Sequence, residues 1–237
     1  MKKRIENKLE ELAESKGIRI LMACETGSRA WGFASPDSDF DVRFIYTKEE
    51  DWYLSLSEKR DTIEYMSEDK ELDLTGWDIR KALRLLHKSN PPLLERAQSP
   101  ILYREENGFR DEFLELAKTS YSPISTLYHY LGMAKKAYLE IEGKGEIKLK
   151  RLFYALRAAM ACRWIFEKEE MPPIEFRKML DGLIWAAREL PLLGRVHELM
   201  AIKAEASESY MHAAEPLINA FIEAEISRAI EKGNDLP

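Results

Sequence analysis

One short run, Asp39-Phe40-Asp41-Val42-Arg43-Phe44-Ile45-Tyr46, constrains this chain more than any other stretch. Side chains of a strand point to opposite faces in turn, so Phe40, Val42, Phe44 and Tyr46 share one face and Asp39, Asp41 and Arg43 the other. Such a strand is buried on one side and presents two carboxylates on the other, roughly 6–7 Å apart at Cα. Upstream, the apolar run Ile18 to Ala23 reads as a strand that ends in the turn Glu25-Thr26-Gly27-Ser28. Glycine there lets the backbone come close to a ligand and presents N–H groups beside the serine hydroxyl. Two carboxylates converging from one strand face suit hard cations, since magnesium takes oxygen ligands shared between a few carboxylates and substrate phosphates.

A third carboxylate would complete such a site. Asp61 to Met66 and Glu71 to Trp77 read as strands joined by the polar turn Ser67-Glu68-Asp69-Lys70. Within the second of them Asp73 lies between Leu72 and Leu74, so it projects from the face opposite two apolar neighbours. A solvated edge strand would give the same alternation. Asp78 is the rival, but its place ahead of Ile79-Arg80-Lys81 suits a helix N-cap, and Asp73 is preferred for that reason. The helix after Asp78 runs through Ile79, Leu83 and Leu86 until Asn90-Pro91-Pro92 ends it, with Pro92 able to start the next. Residues 3–16 form an amphipathic helix with Ile5, Leu9 and Leu12 near one face.

The character of the chain changes near residue 120. Ser122-Pro123 is a helix start, Gly143-Lys144-Gly145 breaks that helix, and a second runs from about Ile147 to Glu167. At least two more follow Pro172-Pro173 and Pro191. The expected architecture is α+β: a catalytic domain over residues 1–119 and an all-helical domain over residues 120–237 that binds substrate or nucleotide.

Composition narrows the rest. Hydrophobic residues at 45% and charged residues at 33% suit a globular protein with a real core. No stretch approaches the roughly 20 apolar residues of a membrane span. Met1-Lys2-Lys3-Arg4-Ile5-Glu6 begins basic but lacks the apolar segment and cleavage site of a signal peptide, so the cytoplasm is the expected address and no membrane partner is expected. Cys24 and Cys162 form neither a disulfide framework nor a metal-ligand spacing, and both sit in apolar patterns as core residues do. His87, His129, His197 and His212 share no metal-site spacing. A net charge of −6 argues against bulk binding of nucleic acid, while leaving a terminus open as a substrate.

A Gly-Ser pair, a gap of ten residues and then Asp-x-Asp in an apolar strand resembles the signature of the DNA polymerase beta superfamily of nucleotidyltransferases. The run from Ala23 to Tyr46, including Glu25-Thr26-Gly27-Ser28-Arg29-Ala30-Trp31-Gly32-Phe33, is similar to the RNA-ligase-associated members of that group. Leu72-Asp73-Leu74-Thr75-Gly76-Trp77-Asp78, then Ser89-Asn90-Pro91 and Lys150-Arg151-Leu152-Phe153-Tyr154-Ala155-Leu156-Arg157, extend the match over most of the chain. The resemblance implies a mixed sheet with flanking helices, and a helical domain forming the other wall of a cleft. It implies a magnesium-dependent enzyme that moves a nucleoside monophosphate from a triphosphate to a hydroxyl acceptor and releases pyrophosphate. Gly27 and Ser28 would hold the triphosphate. Asp39 and Asp41 would ligate two magnesium ions, for which manganese could substitute, and Asp73 the ion that activates the acceptor. The acceptor is an RNA end by the family's association with repair, or else a protein hydroxyl or small molecule.

Several cations stand near this machinery. Arg29 either grips a phosphate through its planar fork or pairs with Asp37 in the loop. Arg43 either reaches substrate or serves as counter-charge to the clustered carboxylates. Lys150, Tyr154 and Arg157 recur at helical spacing, a basic stripe with a ring that could meet phosphate and base. The plain alternative is a solvated face over a core stripe of Leu149, Phe153, Leu156 and Met160. Trp31 is the one tryptophan placed to meet a ligand. Two other readings keep their place: a catalytically silent nucleotide- or partner-binding module of the same fold, and a metal-independent ribonuclease using Arg80 and His87.

Overall fold

The computed structural model of the protein describes residues 1–236. It divides into two compact units, one comprising Met1–Ala30 with Asp39–Ser120, the other Trp31–Ser38 with the chain from Tyr121 onward. The first unit holds α1 (Lys2–Lys16), β1 (Arg19–Glu25), α2 (Gly27–Trp31, whose last residue already belongs to the second unit) and β2 (Phe40–Thr47). It continues with α3 (Glu50–Leu54), β3 (Thr62–Met66), β4 (Leu72–Asp78), α4 (Ile79–His87), α5 (Pro91–Gln98), β5 (Leu102–Glu105) and α6 (Phe109–Ser120). The five strands form one mixed sheet in the order β3-β4-β2-β1-β5, in which only β2 and β4 run parallel. The expected α+β architecture, a mixed sheet with flanking helices and a helical C-terminal part, is what the chain adopts.

Period-two patterning decides how this sheet packs. Val42, Phe44 and Tyr46 of β2 and Leu72 and Leu74 of β4 join Ile5, Leu9 and Leu12 of α1 in one buried cluster. Asp41, Arg43, Asp73 and Thr75 are therefore left on the opposite face. Trp77 shares that face at the far end of β4, where the Arg96 guanidinium of α5 lies 3.2 Å from its ring centre. Helix starts follow their caps. The Asp78 carboxylate accepts from the Arg80 N–H at 2.9 Å, and Asn90 accepts from Leu93 N–H at 3.2 Å ahead of Pro91. The N-cap expected of Asp78 is thus present, and the polar turn 67–70 joins β3 to β4 as an antiparallel pair.

The second unit holds α7 (Pro123–Leu139), β6 (Glu146–Lys148), α8 (Leu149–Lys168), α9 (Phe176–Gly182), α10 (Leu190–Glu205), β7 (Met211–Ala213) and α11 (Pro216–Lys232). Ser122 caps α7 by accepting from Ser125 N–H. Buried Ala155, Ala158, Ala159 and Ala161 on α8, with Ala134 and Ala137 on α7, let these two helices pack closely. Leu149, Phe153, Leu156 and Met160 are all buried, as the core stripe requires. The unit is not wholly helical: β6 and β7, far apart in the chain, pair as a small antiparallel ribbon.

Gly76 shows how tightly β2 and β4 are pressed. It faces the core, and a Cβ there would lie 2.1–2.6 Å from ring carbons of Phe44, which is fully buried and cannot retreat. Gly76→Ala is expected to destabilise the protein by about 1–3 kcal/mol, the usual cost of overpacking, measured from the midpoint of chemical denaturation.

Candidate active site

The register of two neighbouring strands creates the site. In the parallel pairing of β2 with β4, Asp41 stands directly opposite Asp73. Both carboxylates face away from the apolar core, on the face that the period-two pattern leaves polar. Arg43, two residues on from Asp41, lies between them. Its Nη2 donates at 2.9 Å to Asp41 Oδ1 and at 2.9 Å to Asp73 Oδ2, and its Nη1 donates to the carbonyls of Val42 and Asp73 at 3.1 Å each. Of the two sequence-level roles for Arg43, the counter-charge is the one seen. Asp39 is exposed just before β2, and its carbonyl accepts from Arg29 Nε at 2.9 Å. The Arg29 guanidinium stacks 3.7 Å from the centre of the Phe40 ring.

The segment before Gly27 wraps around Asp41. Thr26 donates to the Asp41 carbonyl twice, from its N–H at 2.8 Å and from its hydroxyl at 2.9 Å. Glu25 is buried, accepting from the Asp41 N–H at 2.7 Å and from the Tyr103 hydroxyl at 2.5 Å. Gly27 has φ +63°, and a Cβ placed on it would fall 2.4 Å from Asp41 Oδ2. Only glycine fits there, both for its left-handed backbone and for the carboxylate at its side. Ser28 is buried in the first turn of α2. The expected open turn at 27–28 is thus the start of a five-residue helix.

Burial raises the Asp41 carboxyl above the ordinary aspartate range, Arg43 opposes this, and the charges of Asp39 and Asp73 add to it. Burial likewise raises Glu25, against its bonds from Tyr103 and from the Asp41 N–H. Arg96, stacked on Trp77 and nine-tenths buried, is pushed down to about 9 by burial, with the like charge of Arg43 adding. Cys24 lies in β1 beneath this face, and burial pushes its thiol up to about 12, consistent with a core role.

Other nominated residues lie in the helical unit. Arg157 is 2% exposed, donates to the Ile174 carbonyl at 3.2 Å and sits 4.4 Å from the centre of the Trp31 ring. Trp31 also meets Tyr154 edge-on at 4.9 Å and Phe33 at 5.6 Å, so its ring belongs to a buried aromatic cluster. Lys150 pairs with Glu208 and lies 5.8 Å from the Tyr154 ring. Glu208 in turn accepts from the Ser38 hydroxyl at 2.5 Å and gives its N–H to Asp37 at 2.9 Å, while buried Lys203 donates to the Ser35 hydroxyl. The loop between the Gly-Ser segment and Asp39 is therefore anchored on α8 and on the α10–β7 connection. Sequence reasoning missed Glu25, Tyr103, Lys203 and Glu208. Only Glu25, next to Thr26-Gly27, carried a local signal. Arg80 and His87 lie apart on α4, Arg80 over the rings of Trp52 and Tyr53 and His87 exposed in the last turn.

The carboxylates are all hard oxygen donors with no imidazole or thiolate among them, a set that fits magnesium rather than zinc. Asp41 and Asp73 each keep one oxygen off Arg43. Among the described residues no three His, Cys, Asp or Glu side chains stand close enough together to grip an ion as they are.

This combination of Gly27 packed on Asp41, with Asp41 paired to Asp73, coincides with a sequence profile matching residues 1–237 in full. The chain belongs to the RNA repair pathway DNA polymerase beta family. It is thereby a polymerase-beta-like nucleotidyltransferase family member associated with RNA repair. It is 39% identical over 236 residues to the uncharacterized protein YcgL of Bacillus subtilis (strain 168), covering 100% of this chain and 89% of that one. A nucleotidyltransferase-like protein from Exiguobacterium sibiricum, known from a crystal structure, aligns at a TM-score of 0.38 and 10% identity. That alignment covers 98% of this chain and 77% of the other. No helix among the described residues is long and apolar enough to cross a membrane.

The raised Asp41 carboxyl sets a pH dependence for this family member. An acid whose pKa is higher in the folded than in the unfolded state is destabilising when ionised, and that cost vanishes as it protonates. Asp41→Asn should be more stable than the wild type near pH 7 in EDTA. The gain should shrink as pH falls through the raised value and be absent below 3.8, the ordinary aspartate pKa. Thermal unfolding from about pH 3 to about pH 8 measures it; a variant less stable throughout would mean that the Arg43 pairing outweighs burial.

Proposed function

We propose that the protein is a magnesium-dependent nucleotidyltransferase that moves a nucleoside monophosphate from a nucleoside triphosphate to a hydroxyl acceptor, an RNA terminus being favoured, with release of pyrophosphate. The observation that carries this reading is the direct pairing of Asp41 with Asp73 across parallel strands, with Gly27 packed against Asp41. Family membership supports the reaction class and the link to RNA.

Asp39, Asp41 and Asp73 are the residues that would hold two magnesium ions. Such ions supply charge neutralisation at the phosphates and a lowered pKa for an attacking hydroxyl. The chain's own groups do the positioning. Thr26 and Glu25 fix the Asp41 backbone from both its N–H and its carbonyl, and Arg43 holds its carboxylate. Arg43 holds one oxygen of each of Asp41 and Asp73 and leaves the other oxygen of each for the cation. Gly27, lacking a side chain, lets the Asp41 carboxylate sit against its backbone, and Ser28 follows it as the residue that would meet the triphosphate. Arg29, held against Phe40 and the Asp39 carbonyl, is the nearest cation in sequence to that approach. Fixed dipoles and charges of this kind supply most of the acceleration in phosphoryl transfer, without a general-base histidine. Lys150 and Arg157 are already engaged inside the helical unit, which favours a structural part for Arg157 and leaves Lys150 the better candidate for phosphate.

Isothermal titration of the four nucleoside triphosphates with magnesium tests the proposal. Wild type should bind at least one of them in a magnesium-dependent way, and Asp39→Ala/Asp41→Ala should bind it at least about tenfold more weakly, about 1.4 kcal/mol. Equal binding by the two proteins, or binding unchanged by EDTA, would leave the silent-module reading as the better one.

A further inference from the structure

A polar cavity of about 350 Å³ opens at the other end of β4, walled by Trp52, Lys59, Asp61, Asp78, Arg80 and Arg84. That volume lies at the small end of the range for ligand pockets, about 300–1,000 Å³. Asp78 stands five residues beyond Asp73 on the same strand, which separates this cavity from the carboxylate pair by roughly 16 Å.

The charges around the cavity are not balanced among themselves. The Asp78 carboxylate is almost fully buried and committed, accepting from the Tyr53 hydroxyl at 2.7 Å and from the Arg80 N–H at 2.9 Å. Asp61 is paired with Lys81 at 3.0 Å. Arg80 Nε lies 3.7 Å from Asp78 Oδ1, so Glu58 is the remaining acid on the wall, and against it stand Lys59 and Arg84. Lys59 and Arg84 are exposed and form no ion pair among the described residues. The Arg80 guanidinium is held 5.0 Å from the centre of the Trp52 ring and 4.6 Å from that of Tyr53, so this cation is placed in advance rather than free to swing. The cationic face continues along α4, where Arg84, His87 and Lys88 follow Arg80 at helical spacing and are all exposed.

Lys59 and Arg84, beside the half-buried indole of Trp52 in a cavity of this size, make a site for an anion that carries a flat ring. We propose that this cavity binds a nucleoside phosphate, with the phosphate on Lys59 and Arg84 and the base against Trp52. When that nucleotide is part of a strand, the phosphates beyond it run along the basic face of α4. Base–aromatic stacking and phosphate contacts are together how single strands are held without regard to sequence. The site needs no divalent cation and stands independently of the nucleotidyl-transfer reading.

The test is binding in EDTA, followed by fluorescence anisotropy of a labelled, 5′-phosphorylated RNA hexamer. Wild type and Asp39→Ala/Asp41→Ala should bind it equally, and Lys59→Glu/Arg84→Glu at least tenfold more weakly. Both reversed residues are exposed, so circular dichroism should show the variant folded, and Lys59→Arg/Arg84→Lys should restore binding. Competition by AMP assigns the cavity to a free nucleotide, whereas loss in the reversal variant without competition by AMP assigns it to a residue within a strand. Wild-type affinity in Lys59→Glu/Arg84→Glu overturns the proposal, as does failure of both hexamer and AMP to bind the wild type. Loss confined to Asp39→Ala/Asp41→Ala would place the binding at the carboxylate face and overturn it equally.

Discussion

Arg43 and the two carboxylates it bridges are what the first unit is built to accommodate. Asp41 and Asp73 face one another because β2 and β4 run parallel in one register, and that register follows from Val42, Phe44, Leu72 and Leu74 all seeking the same core. Slipping either strand by one residue would bury its aspartate and expose its leucine or valine, so the apolar pattern and the acidic pattern fix each other. Two carboxylates brought together this way repel, and the arginine two positions along the strand offsets the repulsion from the same face. Asp41 stays raised chiefly because it is buried, with Arg43 opposing and the charges of Asp39 and Asp73 adding.

The same aspartate organises the chain before it. Glu25 takes its N–H, Thr26 takes its carbonyl, and Gly27 leaves the space its carboxylate fills. A buried acid beside a second acid is expensive unless its oxygens are occupied, and the Tyr103 hydroxyl and the Asp41 N–H occupy those of Glu25. The chain then passes into the helical unit for eight residues, where Trp31 and Phe33 pack among Phe153, Tyr154 and Phe176. Its polar half is held by Lys203 and Glu208 instead. A connection that could have been a solvent-exposed loop is therefore fixed at both its apolar and its polar end within the helical unit.

What could be read beforehand was whatever the chain encodes locally. Alternation in 39–46 and 71–77 marked the strands and their buried faces, and Asp78, Pro92 and Ser122-Pro123 marked helix starts to within a residue or two, although the Asn90 cap was read as a helix end. Asp73 was separable from Asp78 because a cap has a sequence signature and its carboxylate is spent on backbone N–H. Long-range partners left no such trace. Glu208 meets Ser38, and Lys203 meets Ser35, across more than 160 residues, and nothing at either end of those pairs marks the other. The strands β6 and β7 span three residues each, too short for any periodicity to register. Arg157 looked like part of a basic stripe because spacing reports which residues share a helix face. It does not report whether that face is covered, and here Trp31 covers it.

The acidic balance of the protein, 42 carboxylates against 36 lysines and arginines, bears on how it could handle anionic substrates. In such a chain many cations are drawn into ion pairs, as Arg4, Arg19, Arg163 and Arg195 are. Arg43, engaged by two acids, is one more, and it shows that a cation in the site serves the acids around it first. Non-specific attraction to a polyanion is correspondingly weak at long range, because a net negative field opposes approach. Contact must then come from the few positions where cations outnumber acids within a Debye length of about 8–10 Å, and where desolvated aromatic surface adds to them. The end of β4 around Lys59 and Arg84 has such cations beside the half-buried Trp52, while on the carboxylate face Arg43 is taken up by Asp41 and Asp73. A protein arranged this way would bind phosphates at a small number of defined points and would not coat itself with nucleic acid.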